Sequence, residues 1–241
     1  MDLGIAGRVA LVTASSKGLG KASALALADE GCKVVVCARG EDALRETENE
    51  LAGRTEVLAI VDDVTEPDAP RRLVEATVER FGAVDILVAN AGGPPPARAF
   101  EFDDQQLVTA LNANLITSIR LARETVPHMR ANKWGRICCI TSSSVKQPIP
   151  TLSMSNVART ALWAWIKTAA QDVYAEGITV TTACPGSHAT DRMKELGGGN
   201  TDGMGNPADF GRVVAFLCSQ PANYITGVAL QVDGGAVLGL L

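Results

Sequence analysis

Hydrophobic residues fall along the chain in two alternating patterns. Short apolar runs occur at 8–13 (RVALVT), 33–38 (KVVVCA), 56–61 (EVLAIV), 84–90 (VDILVAN), 135–141 (GRICCIT), 178–184 (ITVTTAC) and 228–234 (VALQVDG). Between them lie longer stretches with apolar positions at helical spacing. GLGKASALALADEG follows the first run, EDALRETENELAG the second and EPDAPRRLVEATVERFG the third. A long helix over roughly 104–131 follows the fourth, a helix opening LSMSNVARTAL (152–162) the fifth, and PADFGRVVAFLCS (207–219) precedes the last. A run that is apolar at nearly every position suits a strand covered on both faces. Strand and helix in alternation predict an α/β fold. It is a single doubly wound domain with a seven-stranded parallel sheet, helices on both faces and right-handed crossovers. Its ligand belongs at the carboxyl ends of the strands.

Composition narrows this picture. The 241 residues are 46% hydrophobic and 20% charged, which suits one large domain over 1–241. A net charge of −5 argues against nucleic acid or an anionic membrane surface as partner. The first residues, MDLGIAGRVALVTASS, lack the basic flank and long apolar stretch of a signal peptide. No apolar run approaches the ~20 residues that cross a bilayer, so a cytoplasmic protein is expected. The six cysteines (Cys32, Cys37, Cys138, Cys139, Cys184, Cys218) have no metal-ligand spacing and mostly lie in strand-like runs. They read as buried free thiols in a reducing compartment. With only His128 and His188 as imidazoles, no metal site is expected.

Candidate chemistry lies at the ends of the runs. TASSKGLG (13–20) joins the first strand to the first helix, and Gly18 and Gly20 would let a phosphate approach backbone at a helix N-terminus. Alone, such a turn is only a tight connection. Further along stand Asp63–Val64 after the third run, ANAGG (89–93) after the fourth, LNANL (111–115), CPGSHATD (184–191) and VDGG (232–235).

Together these segments, at these intervals, resemble the short-chain dehydrogenase/reductase family, near its 3-oxoacyl-acyl-carrier-protein reductase branch, over essentially the whole chain. TASSKGLG is similar to the family's TGxxxGxG with Ala14 for the first glycine. ANAGG is similar to NNAG with its first asparagine replaced by Ala89. The resemblance implies a Rossmann domain and a dinucleotide held by Ala14, Ser16, Lys17, Gly18, Leu19 and Gly20. Ala38, Arg39, Asp63, Val64, Asn90, Ala91 and Gly92 continue that site, and Arg159, Pro185, Gly186, His188 and Thr190 complete it, with His188 filling space beside the nicotinamide. A ribose 2′-hydroxyl wants a carboxylate at the end of the second strand, whereas a 2′-phosphate wants cations. Here Ala38 stands where that acid would be, with Arg39 beside it and Lys17 on the glycine turn, so NADP(H) is the expected cofactor.

The same resemblance implies proton transfer through a serine and a YxxxK helix, assisted by an asparagine. Ser142 and Asn114 match the serine and the asparagine. Thirteen residues past Ser142 stands Ser155 instead of tyrosine, and Arg159 replaces the lysine. The chain's tyrosines are at 174 and 224. A serine hydroxyl is far less acidic than a phenol, and arginine does not release its proton. Lys146, four residues past Ser142, is the substitute acid/base candidate. The catalytic set is therefore Ser142, Asn114, Ser155, Arg159 and Lys146. Only twelve residues, KELGGGNTDGMG, separate TDRM from NPADF, so a shortened, flexible substrate lid is expected at about 191–206, with GGPPPARAFEF (92–102) as another wall. Trp163, Trp165 and the tail GGAVLGLL suggest a homo-oligomer, most simply a tetramer. Two functions follow: NADP(H)-dependent reduction of a small-molecule carbonyl (a ketone or 3-oxoacyl compound) with altered acid/base residues, or a non-catalytic dinucleotide-binding sensor or partner protein.

Overall fold

Alternate residues of the strands feed two separate cores. Ala10, Val12, Val34, Val36, Ile86 and Val88 join one buried cluster; Leu11, Val35, Cys37, Leu87 and Ala89 join the other. This period of two, with both sets buried, is what an internal parallel sheet requires. The computed structural model describes residues 1–197 and 202–240, and its strands are β1 (Val9–Thr13), β2 (Lys33–Ala38), β3 (Val57–Val61), β4 (Ile86–Ala89), β5 (Gly135–Ile140), β6 (Ile178–Pro185) and β7 (Ala229–Val232). All pair in parallel in the order β3-β2-β1-β4-β5-β6-β7. The chain runs outward from β1 to β3, then returns and runs outward from β4 to β7. The crevice between β1 and β4 is thus the switch point where α/β sheets bind ligands.

Helices α1 (Gly18–Asp29), α2 (Glu41–Ala52) and α8 (Pro207–Leu217) cover the first core; α3 (Ala69–Phe81), α5 (Thr117–Asn132) and α6 (Ser153–Val173) cover the second. Helix α4 (Asp104–Leu111) starts at a capping box, in which the Asp103 carboxylate accepts from Gln106 N and the Gln106 side chain accepts from Asp103 N. The short α7 (Asp191–Glu195) follows β6. The expected helix over 104–131 is not continuous. A π-turn at Asn112–Ile116 divides it, with Thr117 N donating to Asn112 O five residues back. Such turns are uncommon and concentrate at functional positions; here the turn carries Asn114 inward.

Helix α6 shows how a site can be built from a core stripe. Its buried positions are Met154, Ser155, Ala158, Arg159, Leu162, Ile166, Ala170 and Val173. The lower part is apolar and seats the helix on the sheet. Toward the carboxyl edge of β5 the same stripe becomes polar, at Ser155 and Arg159.

The opposite edge of the sheet is sealed by packing. Arg136 at the start of β5 is fully buried, donates to Ser219 O, Gly135 O and Gly177 O, and lies 4.3 Å from the Trp134 ring. Arg8 also lies 4.0 Å from that indole and pairs with Asp85, whose second oxygen accepts from Val9 N.

Candidate active site

The turn after β1 is held from three directions. Thr13 Oγ1 donates to Asn90 O at 2.7 Å and accepts from Asn90 N at 3.0 Å, and Asn90 Nδ2 donates to Ala14 O at 3.1 Å. Ser15 Oγ donates to Val12 O and accepts from Cys37 N, and Thr47 Oγ1 donates to Ser16 O. The glycine turn is thereby pinned to the ends of β2 and β4 and to α2. Gly20 sits so close beneath it that a Cβ would lie 2.4 Å from Ala14 O and 2.7 Å from Asn90 Nδ2. Gly18 has φ +60°, and a Cβ there would lie 3.8 Å from the Thr190 side chain. Ala14 itself is left-handed, with φ +46°.

Helix α1 begins without a side-chain cap and without an acid in its first turn, and its flanking residue Lys17 is exposed. Its first N–H groups and its dipole are therefore available to an anion. At the other side of the crevice Arg39 is 79% exposed and lies 3.6 Å from Asp63. Partial burial pushes the Asp63 carboxyl up, but hydrogen bonds from the Thr65 amide and hydroxyl, together with Arg39, outweigh it and hold the group low. The glycine turn, a helix N-terminus and an exposed guanidinium fit a phosphorylated dinucleotide. The Leu19 and Val64 side chains instead belong to the two cores, and Ala38 is buried at the end of β2. Ala91 and Gly92 continue from Asn90, and a Cβ on Gly92 would meet nothing. Gly186, after Pro185, is obligatory for packing, since a Cβ would come 2.8 Å from Asp233 Cα.

Polar side chains gather where β5 meets α6. Ser142 Oγ accepts from Ser144 N at 3.1 Å. Ser155 Oγ accepts from Arg159 Nε at 3.2 Å, and Arg159 Nη1 donates to Ile140 O at 2.9 Å and Thr141 O at 3.0 Å. Burial lowers the Arg159 guanidinium to about 10, with help from the positive charge of Arg192, so it remains charged at neutral pH. Asn114 is buried and donates weakly to Ala110 O at 3.4 Å, while its Oδ1 has no partner among the described residues.

Two expected residues have side-chain partners of their own. Lys146 places its ammonium 4.3 Å over the Trp163 ring and makes no hydrogen bond to Ser142 or Ser155. His188 is buried edge-on against Phe210 at 5.2 Å, with Nδ1 on Gly186 O, and Gly205 packs on its ring. It joins the two ends of the lid, which are also bridged by Ala189 N to Gly205 O and Gly205 N to Ser187 O. The middle of the expected flexible lid, 198–201, lies outside the described residues. Arg192 was not foreseen. Its Nη2 donates to Pro94 O at 2.6 Å, linking α7 to the proline wall. No spacing marks it in the sequence, because the two segments are 98 residues apart.

Residues 13–237 match the family model described as enoyl-(acyl carrier protein) reductase. The 3-oxoacyl-acyl-carrier-protein reductase of Vibrio cholerae is 32% identical over 244 residues, covering 97% of this chain and 98% of that protein. The chain belongs to the short-chain dehydrogenase/reductase family. Among its family relatives, the L-fucose dehydrogenase of Rattus norvegicus is 34% identical over 250 residues, covering 97% of this chain and 90% of that protein. The structure of L-sorbose reductase from Gluconobacter frateurii, complexed with NADPH and L-sorbose, superimposes with a TM-score of 0.93 at 33% identity, covering both chains fully. As a family member the chain shares the Rossmann-like sheet and helices of these proteins.

Proposed function

We propose that this short-chain dehydrogenase/reductase is an NADP(H)-dependent reductase of a small carbonyl compound, working with an altered proton-handling pair. One observation carries the reading. The glycine cradle, the Arg39–Asp63 end of the crevice and the Ser142–Ser155–Arg159 cluster open on the same edge of one sheet. NADPH supplies the hydride when bound. In this reading the α1 N-terminus and the Gly18–Gly20 turn take its diphosphate, Arg39 and Lys17 its 2′-phosphate, Asp63 its adenine, and Thr190 the nicotinamide end.

The protein's own groups then manage the charge that appears on the carbonyl oxygen. Ser142 Oγ can donate to that oxygen, since its proton is not needed to accept from Ser144 N. Ser155 and Arg159 stand where the resemblance assigns tyrosine and lysine. Arg159 holds the Ser155 oxygen with Nε, which leaves the serine proton free to point at substrate. The fixed guanidinium charge lowers the energy of an oxyanion without giving up a proton. Lys146 is the candidate that could deliver one, after leaving Trp163. The short lid and the wall at 92–102 bound the substrate side.

The assembly proposed is a homotetramer in the cytoplasm. It would cover exposed Leu230, Leu238 and Leu240 and the outer side of α6 near Trp163. Light scattering should give about four times the 25.2 kDa chain mass; a monomer at micromolar concentration would overturn the assembly.

The decisive experiment is NADPH oxidation with ketones, oxo esters, quinones and dicarbonyls, using wild type, Lys146→Ala and the double variant Ser155→Tyr/Arg159→Lys. The double variant should reduce simple ketones faster than wild type. A loss of about 10²–10⁴-fold in Lys146→Ala identifies lysine as the donor, the range for a lost general acid; wild-type rates leave the proton to solvent. NADPH binding without turnover by any variant would favour the sensor reading, to which the replaced tyrosine and the short lid lend weight, whereas the retained Ser142 and Asn114 favour the enzyme.

A further inference from the structure

Arg159 is a buried charge with no opposite charge beside it among the described residues. It is only 8% exposed, and its three hydrogen bonds all go to neutral oxygens, those of Ser155, Ile140 and Thr141. Among the described residues no carboxylate pairs with it, and the charged group that acts on it most strongly is another cation, Arg192. Its Nη2 makes no hydrogen bond to the described residues, so one face of the guanidinium fork is free. Arg192 reaches in from α7 and hangs over the opposite wall, with Nη2 on Pro94 O and 3.1 Å from where a Gly93 Cβ would be. Its Nη1 is held on the solvent side by Glu195 at 3.3 Å. Of the two cations, Arg192 is therefore paired with a carboxylate, whereas Arg159 has only neutral oxygens as partners among the described residues.

A buried cation without a counter-ion is strongly unfavourable, and arginine cannot escape by losing its proton at neutral pH. An arriving anion would remove that penalty, and the guanidinium fork suits a carboxylate in particular. In the proposed binding mode the cofactor's phosphates lie at the Gly18 turn and at Arg39, and a ribose hydroxyl that Arg159 could hold is neutral and leaves its charge unpaired. We infer that the substrate itself supplies the anion: a 2-oxo or 3-oxo acid whose carboxylate seats between Arg159 and Arg192, beside the carbonyl that is reduced. This deepens the reductase reading and rests on it. The carboxylate must lie within two or three bonds of the reacting carbon, because Arg159 also holds Ser155. It also sets the site apart from one built for thioesters or esters, which are neutral at that position.

Two measurements test the inference. The first compares kcat/KM for 2-oxobutanoate and acetoacetate with that for their methyl esters. Wild type should favour the acids at least tenfold, and Arg192→Gln should lower the acids at least tenfold while changing the esters less than threefold. The second needs no turnover: calorimetric titration of the NADP⁺-saturated protein with 3-hydroxybutanoate and with 3-hydroxybutanamide. Only the carboxylate should bind, and Arg192→Gln should abolish that binding. Acids and esters reduced equally well would overturn the inference and leave the reductase reading intact. Selective carboxylate binding with no reduction of any oxo compound would keep the anion site and sink the reductase. If Arg192→Gln weakened NADPH binding but left the acid preference untouched, the charge would belong to the cofactor and the inference would fall. The wild-type comparison of acid with ester stands even if the variant proves unstable.

Discussion

Replacing Ala14 by glycine should stabilise the protein. Ala14 has φ +46°, a left-handed conformation that its Cβ opposes by about 1–2 kcal/mol. Glycine removes that strain but gives the unfolded chain more freedom, which offsets about 0.4–1 kcal/mol of the gain. Ala14 is only half-buried, so the lost methyl forfeits little packing. The net stabilisation is about 0.5–1 kcal/mol, which for a chain of this size raises Tm by about 1–4 °C. Nothing else in the turn has to move: Ala14 O keeps its bond from Asn90 Nδ2, and Gly20 still clears it. The assay is thermal unfolding by circular dichroism with and without saturating NADPH, at one protein concentration because assembly shifts Tm. Gly20→Ala is the opposite control. Its Cβ, 2.4 Å from Ala14 O, must displace the turn, a strain of about 1–3 kcal/mol. A lower Tm for Ala14→Gly would refute the strain argument.

Arg39→Asp should reverse the cofactor preference from NADPH to NADH, because a second carboxylate beside Asp63 repels a 2′-phosphate; unchanged relative Kd values in fluorescence titrations would remove Arg39 from the site. The cysteines should resist a thiol reagent in the native protein at pH 8 and react fully in urea. Burial, with Asp85 near Cys32 and Asp62 near Cys37, pushes those two thiols to about 12, and a native thiol at that value is almost wholly protonated. Fast native labelling would contradict the buried assignment. The acid-over-ester preference should hold from pH 6 to 9 and fade as pH rises through about 10. Arg159 is charged below its lowered value and neutral above it; a preference that vanished below pH 7 would implicate another group.

Much of the fold could be read from apolar periodicity because each buried strand is apolar on both faces. The exact parallel order needed the motifs as well, since pairing is not a local property. The glycine turn was legible for the same reason that Gly20 cannot change: the backbone leaves no room there. The seat of Lys146 was not legible, because a sequence does not show that an indole seventeen residues on lies under its ammonium. His188 joins Phe210 through residues 22 apart, and Arg192 joins Pro94 across nearly a hundred; neither pairing leaves a periodic trace. The break at 112–116 was hidden too, since a π-turn preserves helical composition while changing its phase.

That phase has a consequence for insertions and deletions. A π-turn holds one residue more than an α-turn, so α5 is rotated by about 100° relative to where an unbroken α4 would place it. Two sets of contacts depend on the offset: Ala110 faces inward before the turn, and Leu121, Ala122 and Met129 face the second core after it. Deleting a single residue between 112 and 116 would restore a regular helix and turn one of those sets toward solvent. A loop would absorb such a loss without harm. Here the chain length itself is fixed by the geometry around Asn114, to the single residue.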